Sequence, residues 1–329
     1  MVLERQARIA TRPLVLRDLA DPTPGPAEIL VRVAACGACR TDLHVIEGDL
    51  APRRLPLIPG HQVVGRVTAA GLGASRFRIG DRVGIAWLGG TCGSCAFCLE
   101  GLENLCDGSR YTGWDADGGY ADYAIVSEGF AYAIPDAFSD VEAAPLLCAG
   151  IIGYRALQRA RVGPGQKLGL FGFGSSAHIV AQIARHRGCD VYVATRDTSH
   201  RRLAEELGAV WTGGTFDTPP APLDGAIVFA PAGEVVPPAL RALGKGGTLA
   251  VAGIHMSDIP PLAYDFCLFQ EKTLTSVTSN TRADGEGLLR EAAAIPLRLR
   301  ATTFRLTEAN DALLTLARDG IRGTAVLVP

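Results

Sequence analysis

Four cysteines within fifteen residues constrain this chain more than any other feature of its sequence. Two residues separate each of the first three thiols and seven precede the fourth, at Cys92, Cys95, Cys98 and Cys106. One loop with this spacing can wrap four sulfurs around a single tetrahedral ion, because thiolates are preferred zinc ligands. The pattern predicts a structural zinc site, since four protein ligands leave no open coordination position.

Two other interpretations of the four-cysteine loop stay open. An iron–sulfur cluster also takes four thiolates. A redox pair of the Cys-x-x-Cys type needs a helix start and a thioredoxin-like context, which we do not find at Ala96, Phe97 and Cys98. The number and spacing of the ligands favour zinc.

The composition is that of a globular chain with no polyanionic or membrane partner. The 329 residues are 48% hydrophobic and 20% charged, and the length allows two domains. A net charge of −2 gives no electrostatic signature of nucleic-acid binding. No window reaches the roughly 18 uninterrupted apolar residues of a membrane span, and the N-terminus lacks a signal core. Nine cysteines are too few for a disulfide scaffold, so we expect a cytoplasmic protein.

The sequence changes character twice along its length. The first part is rich in Gly, Pro and short β-like runs, and after a capping box at Ser139 and Glu142 apolar residues recur at helical spacing through Leu157. From residue 166 strand-like and helix-like segments alternate, which predicts a doubly wound parallel sheet. Strands are predicted at 28–34, 62–69, 120–126, 167–173, 190–194, 225–229 and 248–252, and helices at 177–187, 201–207 and 236–243.

The last fifty residues are expected to return to the first domain. They hold two helix-like segments, 284–294 and 308–318, and a final strand at 325–328. We therefore predict an α/β protein whose first domain is formed by residues 1–148 and 279–329. A Rossmann-type doubly wound domain formed by residues 149–278 lies between these two parts in the chain.

A second set of metal-ligand residue types is dispersed along the sequence. It consists of Cys36, Cys39, His44, His61 and Cys148. Taken singly, each has a plain structural explanation as a buried thiol or a hydrogen-bonded core histidine. Together they offer more soft ligands than a three-ligand site needs, which would leave a fourth position for water or substrate.

A glycine-rich turn follows a predicted strand and opens a predicted helix. In this context its G-x-G-x-x-A pattern matches a dinucleotide fingerprint, in which backbone amides and the helix N-terminus face pyrophosphate. A tight turn without a ligand is the minor alternative. The candidate cofactor-binding residues are Gly172, Gly174, Ser175, Ser176 and Ala177.

The choice of cofactor depends on the end of the next strand. An acidic residue about twenty positions after the motif would hold the ribose diol of NAD, but Thr195 and Arg196 stand there. A hydroxyl and a guanidinium suit the 2′-phosphate of NADP, and Arg201 and Arg202 add positive charge. NADP(H) is therefore favoured, while Asp197 would serve NAD if the strand ended two residues later.

Five segments in a fixed order give the chain a specific resemblance. They are CGACRTDLH from Cys36 to His44, Pro59 to His61, the four-cysteine loop, PLLCAG from Pro145 to Gly150, and the glycine-rich turn. The chain resembles the zinc-dependent alcohol dehydrogenases of the medium-chain dehydrogenase/reductase superfamily over essentially its whole length. The resemblance implies a GroES-like catalytic domain, hydride transfer between NADP(H) and an alcohol/aldehyde pair, two Zn²⁺ per chain and a homodimer or homotetramer.

The resemblance also implies roles for individual residues. Cys39, His61 and Cys148 would bind the catalytic zinc, leaving Cys36 as a packed thiol. Asp42 would accept a hydrogen bond from His61 and fix its tautomer.

Further roles concern the substrate and the cofactor. Thr41 and His44 resemble a relay that passes the alcohol proton through the cofactor ribose to solvent. Arg40 resembles a pyrophosphate contact. Leu50 and Trp87 would line the substrate pocket, with Trp114 as a further wall, and such walls favour a primary alcohol or aldehyde of moderate apolar bulk.

The sequence departs from the family pattern at one position near the proposed metal ligands. Gln62 stands where relatives commonly have Glu, and a neutral amide should leave the metal more electrophilic and slower to exchange ligands. The edge strand expected at 273–278 is the candidate oligomer interface. A zinc-independent quinone or enoyl reductase, and a non-catalytic nucleotide-binding or redox-sensing protein, remain alternatives.

Overall fold

The computed structural model describes residues 1–321 and 323–329, which form two compact units. Unit 1 comprises Met1–Cys148, Ser279–Ala293 and Leu299–Pro329, and unit 2 comprises Ala149–Thr278 and Ala294–Arg298. The structure groups Ala294–Arg298 with unit 2, whereas the whole of 279–329 was predicted to belong to the first domain. The Gln182 side chain bonds both the backbone N–H and the carbonyl of Arg298, which holds that segment on unit 2.

Unit 1 is built mainly from strands in its first 148 residues. The elements are β1 (Val2–Leu3), β2 (Leu14–Val15), β3 (Glu28–Ala38), α1 (Arg40–Glu47), β4 (Gln62–Ala70), β5 (Arg82–Ile85), β6 (Leu88–Gly90), α2 (Ala96–Leu99), β7 (Arg110–Tyr111), β8 (Tyr123–Ser127), β9 (Ala131–Ala133) and α3 (Asp140–Ala143).

Unit 2 alternates helices and strands. Its elements are α4 (Ala149–Ala160), β10 (Lys167–Phe171), α5 (Ser175–His186), β11 (Asp190–Ala194), α6 (Thr198–Glu206), β12 (Trp211–Gly213), β13 (Leu223–Val228), α7 (Val236–Ala242), β14 (Leu243–Val251), α8 (Tyr264–Cys267) and β15 (Thr273–Ser276). The chain then returns to unit 1 with α9 (Arg282–Ala293), β16 (Ala301–Arg305), α10 (Ala309–Ala317) and β17 (Thr324–Val328).

The sheet of unit 1 has the order β16-β17-β3-β4-β5-β9, with β8 pairing β3 as well. Strand β3 is the longest, and it pairs antiparallel with β4 so that Gly37 faces Gln62. This register brings the residue after β3, Cys39, and the residue before β4, His61, to the same end of the sheet. Strand β3 continues past a bulge between Val33 and Ala35 and ends at Ala38, beyond the predicted end at 34.

The sheet of unit 2 is parallel throughout and has the order β12-β11-β10-β13-β14-β15. Numbered within the unit, this is the 3-2-1-4-5-6 order of a Rossmann fold. The strand order reverses between β10 and β13, which is where such sheets bind their ligands. The glycine-rich turn follows β10 at this position, as the βα rhythm of the sequence predicted.

The helical pattern from Ser139 to Leu157 is interrupted in the structure. The Ser139–Glu142 capping box starts α3, but a 3-10 turn at Ala144–Leu147 separates it from α4. Pro145 is the second residue of that turn and provides no backbone donor, which favours a break in an α-helix. The break leaves Cys148 between two helical segments rather than inside one.

Candidate metal centres and cofactor turn

Three of the dispersed ligand-type residues meet at one point of unit 1. The ligand atoms of Cys39, His61 and Cys148 all lie within 4.8 Å of one another. Cys39 Sγ is 3.5 Å from His61 Nε2 and 3.9 Å from Cys148 Sγ. Cys39 caps the N-terminus of α1, His61 precedes β4, and Cys148 follows the 3-10 turn. Two sulfurs and one imidazole at these distances form a donor set that fits an open zinc site.

The carboxylate of Asp42 holds two members of this set. Its Oδ1 lies 3.1 Å from His61 Nδ1, and its Oδ2 accepts a hydrogen bond of 2.8 Å from the backbone N–H of Cys39. Asp42 and His61 are both buried. Because a carboxylate only accepts, Nδ1 carries a proton, and Nε2 is the ring nitrogen directed at the sulfurs.

The three ligands share protons in the metal-free state. A hydrogen bond from Cys148 outweighs burial and, together with His61, holds the pKa of Cys39 well below its usual value. Burial lowers the pKa of His61, but Asp42 and Cys39 outweigh it and raise the pKa to about 10. The bond to Cys39 and burial raise the pKa of Cys148. A thiolate therefore lies beside an imidazolium and a thiol, and a dication can replace both protons.

Gln62 and Cys36 flank the three ligands without joining them. Gln62 is fully buried, and neither of its amide atoms has a hydrogen-bond partner among the described residues. A Cβ on the facing Gly37 would lie 2.7 Å from Gln62 Oε1, so this glycine makes room for the amide. Cys36 is buried against Gly60 and Gly119, and burial raises the pKa of its thiol. It lies outside the ligand group, as a packed thiol should.

An aromatic stack extends from the ligand His61. The ring of Trp87 meets that of His61 edge-on at 5.0 Å between centroids, and Trp87 stacks with Tyr111 at 5.0 Å and Trp114 at 5.9 Å. The guanidinium of Arg53 covers Trp114 at 4.3 Å. The sequence analysis missed Tyr111. In the sequence, the available signal was its position three residues before Trp114. In the structure, Tyr111 ends β7 and pairs with Leu88, the residue after Trp87.

The proposed relay residues lie on α1, beside the metal ligands. Thr41 is buried, and its backbone N–H donates to Cys39 Sγ at 3.3 Å. His44 is in the last turn of α1, with Nδ1 2.8 Å from Asp49 Oδ2. Leu50 is half-buried and its backbone N–H donates to the carbonyl of His44. The exposed Arg40 forms an ion pair with Asp319.

The four-cysteine loop also converges on one point. The sulfurs of Cys92, Cys95, Cys98 and Cys106 lie within 4.8 Å of one another. Backbone N–H groups of Ser94 and Cys95 lower the pKa of Cys92 to about 6. Helix α2 begins at Ala96 with Cys95 as its N-cap. The expectation that this sequence supplies no helix start is thus wrong, although four converging sulfurs still favour a metal over a redox pair.

A buried carboxylate anchors this loop to the rest of unit 1. Glu103 Oε2 accepts from Arg282 Nε and Nη2 at 2.9 and 2.7 Å, and Oε1 accepts from the Arg282 backbone N–H at 2.6 Å. Arg282 opens α9 and its guanidinium covers the ring of Phe130. The sequence pattern gave no indication of this pair, because its members are 179 positions apart.

The glycine-rich turn has the geometry of a phosphate cradle. Gly172 has φ +91°, and a Cβ there would lie 2.9 Å from the backbone nitrogen of Ala230. Gly174 is the N-cap of α5, with open space where its Cβ would be. The first backbone N–H groups of α5 belong to Ser175, Ser176 and Ala177. Such a turn lets a pyrophosphate approach the backbone and the positive end of the helix.

The polar residues that follow β11 differ in burial and in hydrogen-bond partners. The strand ends at Ala194, and Thr195 is buried. Asp197 caps α6 by accepting from the N–H groups of Ser199 and His200, which lowers its pKa. Arg201 donates to the carbonyls of Thr195 and Arg196. Arg196 itself is exposed.

Comparisons with known proteins agree with this architecture. Residues 25–136 match the alcohol dehydrogenase GroES-like domain, and residues 177–294 match the zinc-binding dehydrogenase domain. AdhA of Mycobacterium tuberculosis, named a probable alcohol dehydrogenase, is 52% identical to this chain. The match covers 99% of this chain and 96% of the AdhA sequence.

Solved structures show the same likeness. A cinnamyl alcohol dehydrogenase of Sorghum bicolor has a TM-score of 0.89 at 30% identity, covering 98% of this chain and 96% of its own. A zinc-binding dehydrogenase of Sinorhizobium meliloti, bound to NADP, has a TM-score of 0.83 at 27% identity over 95% of each chain.

The fold and the comparisons define a two-domain oxidoreductase with a GroES-like part and a Rossmann-type part. The chain belongs to the zinc-dependent alcohol dehydrogenases of the medium-chain dehydrogenase/reductase superfamily. It is a zinc-dependent oxidoreductase that transfers hydride between a nicotinamide cofactor and an alcohol/aldehyde pair. None of the helices in the described part of the chain is long and apolar enough to cross a membrane.

Proposed function

We propose that Cys39, His61 and Cys148 hold the catalytic zinc and that the four-cysteine loop holds a second, structural zinc. The convergence of three ligand atoms within 4.8 Å carries this proposal. A zinc ion with one open position supplies a Lewis acid that lowers the pKa of a bound alcohol or polarises a carbonyl. Four sulfurs around the second ion leave no place for substrate.

Metal analysis of single variants tests this division. The wild-type protein should hold two zinc ions per chain. Cys148→Ser should lose one ion and turnover but keep its fold, whereas Cys95→Ser should lose the other ion together with stability. Cys267→Ala, which removes a buried thiol outside both sets, is the matched control. One zinc per wild-type chain would contradict the proposal.

We propose that Asp42 orients His61, while Thr41 and His44 carry the alcohol proton away from the metal. Thr41 follows Cys39 by two residues and its backbone N–H donates to Cys39 Sγ, and His44 lies on the same helix near its exposed end. Thr41→Val should lower kcat by about 10²-fold, in the range for loss of a positioned proton-transfer group. Thr41→Ser, which keeps the hydroxyl, should retain most activity, and equal losses in both variants would contradict the role.

NADP(H) is the proposed cofactor, held by the turn Gly172, Gly174, Ser175, Ser176 and Ala177 and by Thr195 and Arg196. Two observations support the phosphate-bearing form: Asp197 is engaged as a helix cap, and Arg196 is exposed at the end of β11. Arg40 is a further proposed contact of the pyrophosphate.

The ratio of kcat/KM with NADP⁺ to that with NAD⁺ tests this preference. Arg196→Ala should reduce the ratio by about 10-fold or more, the value of one charge-assisted hydrogen bond. Arg241→Ala, an exposed arginine on α7, is the control. A wild-type ratio below one would contradict the preference for NADP(H).

The substrates we propose are primary alcohols and aldehydes of moderate apolar bulk, contacting Leu50, Trp87 and Trp114. The stack on His61 supports this, because it places aromatic surface beside the metal ligands. A panel of aliphatic and aromatic alcohols should show a loss of kcat/KM for the bulkier members in Tyr111→Leu. Tyr111→Phe, which keeps the stacked ring, should match the wild type. Unchanged selectivity in Tyr111→Leu would contradict the assignment.

We propose a homodimer or homotetramer formed through the edge strand β15. Tyr264, Phe266 and Phe269 precede this edge and are 62, 67 and 63% exposed. Apolar surface beside unpaired strand donors is typical of an interface between copies. Phe269→Asp should shift the species in light scattering toward the monomer, whereas Phe216→Asp, at another exposed phenylalanine, should not. A monomeric wild-type protein would contradict the proposal.

A reducing, cytoplasmic location is also proposed, because all nine cysteines are free thiols and six of them belong to the two ligand sets. No nucleic-acid or membrane partner is proposed. Fractionation of the native cells tests the location.

A further inference from the structure

His44 is in contact with a carboxylate that was not among the predicted site residues. Asp49 Oδ2 lies 2.8 Å from His44 Nδ1, and the two side chains are 49 and 20% exposed. Gly48, with φ +94°, lies between the end of α1 and Asp49, and it closes the helix by donating to the carbonyl of His44. The chain therefore folds back on the histidine directly after the helix.

This reversal is fixed by further contacts. The backbone N–H of Leu50 also donates to the carbonyl of His44, and Gln6 Nε2 bridges the carbonyls of Val45 and Leu50 at 2.7 and 2.9 Å. Asp49 therefore lies between Gly48 and Leu50, whose backbone N–H groups both donate to the carbonyl of His44. Its contact with His44 follows from the backbone geometry.

The other charged groups around α1 are engaged in pairs of their own. Glu47 pairs with Arg8, on the segment packed against α1, and Arg40 pairs with Asp319 after α10. Asp49 is the carboxylate directed at the imidazole.

A carboxylate on Nδ1 selects one form of a neutral imidazole. The carboxylate only accepts hydrogen bonds, so Nδ1 carries the hydrogen and Nε2 keeps the lone pair. The same contact restricts rotation of the ring, which leaves Nε2 in a defined direction. A histidine that receives a proton needs both conditions, because a base must present its lone pair in reach of the donor.

We propose that Asp49 is the positioning residue of His44, fixing the tautomer that presents Nε2 as a proton acceptor during alcohol oxidation. This inference rests on the relay function proposed for His44. The proton that the alcohol loses binds Nε2, and the resulting imidazolium then releases a proton from Nε2 to water, which restores the Nδ1–H tautomer. In aldehyde reduction the same proton moves in the opposite direction.

The tautomer is measurable without turnover. The protein has six histidines, and ¹⁵N spectra of the zinc-loaded enzyme resolve their ring nitrogens, with His44→Gln identifying the signals of His44. We expect a dominant Nδ1–H tautomer in the wild type and a mixture in Asp49→Asn, because an amide can both donate and accept. Glu47→Gln, on the same helix, should leave these signals unchanged. Identical His44 signals in the wild type and in Asp49→Asn would overturn the proposal.

A double-mutant cycle supplies the kinetic test. Asp49→Asn should lower kcat for alcohol oxidation by about 3- to 30-fold, part of the gain from a positioned base, with KM for the alcohol nearly unchanged. Asp49→Glu should restore most of this loss. In the His44→Gln background, Asp49→Asn should have no further effect, whereas a merely structural role would add its loss again.

The cycle also distinguishes a failure of the role proposed for Asp49 from a failure of the relay proposed for His44. If His44→Gln lowers kcat while Asp49→Asn does not, the positioning role alone is wrong. If His44→Gln keeps the wild-type kcat, the relay and the role of Asp49 are both wrong, while the zinc chemistry is still tested by metal content.

Discussion

Asp42 and His61 form a buried contact of 3.1 Å between Oδ1 and Nδ1, and the same carboxylate also caps the helix that begins after Cys39. One side chain thus orients a candidate metal ligand and completes the N-terminus of α1. Folding of this helix and assembly of the ligand set are consequently linked through a single carboxylate.

Replacing Asp42 should weaken metal binding more than the fold. Asp42→Ala removes the hydrogen bonds to His61 and to the backbone of Cys39. Loss of a hydrogen bond that orients a metal-binding histidine typically lowers metal affinity by about 10- to 100-fold. The lost helix cap should reduce the free energy of unfolding by about 1 kcal/mol. Competition with a chelator and thermal unfolding measure the two effects. Asp18→Asn, at an exposed position, is the control, and unchanged zinc affinity in Asp42→Ala would refute the link.

Zinc affinity at Cys39, His61 and Cys148 should fall as the pH falls. At pH 7 the raised pKa values of His61, about 10, and of Cys148 keep both groups protonated, while Cys39 is a thiolate. Zinc must displace two protons, so its affinity should decrease by about 100-fold for each unit of pH lost near neutrality. Calorimetry in buffers of different ionisation enthalpy counts the released protons, with the four-cysteine loop already loaded. A count near zero would disprove the shared-proton arrangement.

Gln62→Glu should change both metal exchange and stability. The side chain is fully buried beside His61, so a carboxylate there costs free energy in the metal-free protein and regains it when a dication binds nearby. We expect a lower Tm for the metal-free variant, recovery with zinc, faster zinc exchange and an altered kcat. Gln158→Glu, at an exposed position, controls for the added charge. Kinetics and metal exchange identical to the wild type would rule out a role for the neutral amide.

Breaking the Glu103–Arg282 pair should loosen the four-cysteine loop. Glu103 is buried while the Arg282 side chain is 45% exposed, so Glu103→Ala should cost about 2 kcal/mol, below the cost of breaking a fully buried pair. Glu103→Gln, which keeps the shape and one acceptor, should cost less. Chemical unfolding and the zinc release rate report the effect. Equal stability of Glu103→Ala and the wild type would show that the loop is held without this pair.

Gly172 and Gly174 should respond differently to a methyl group. Gly172→Ala meets the backbone of Ala230 at 2.9 Å and takes a left-handed φ, so it should destabilise unit 2 by more than about 1 kcal/mol. Gly174→Ala has open space and an ordinary φ of −90°, so it should keep the Tm but weaken cofactor binding by crowding the pyrophosphate. Unfolding and cofactor titration separate the two, and parallel losses in both measurements for Gly174→Ala would contradict this division.

Much of unit 2 was predictable because its signals are local. Strand β11 has the bounds predicted from its apolar run, and α5 begins two residues before its predicted start because Gly174 forms its cap. In unit 1 the local pattern was weaker. The strand predicted at 120–126 begins at Tyr123, because Gly118, Gly119 and Tyr120 instead bond the backbone of residues 58–60.

The residues of the candidate site also differ in whether a local sequence pattern could predict them. The four-cysteine loop was visible from spacing, because all its ligands come from one short segment. Tyr111, Asp49 and the Glu103–Arg282 pair were not, since their importance depends on neighbours that other segments bring to them.

The sequence by itself determined the ligand types, the glycine-rich turn and the alternation that builds a parallel sheet, because each is encoded within about twenty consecutive residues. Only the tertiary structure decided that Cys39, His61 and Cys148 share one point. That convergence depends on the register of β3 with β4, which pairs separate segments of unit 1, and on the helix break at Pro145, which ends at Cys148.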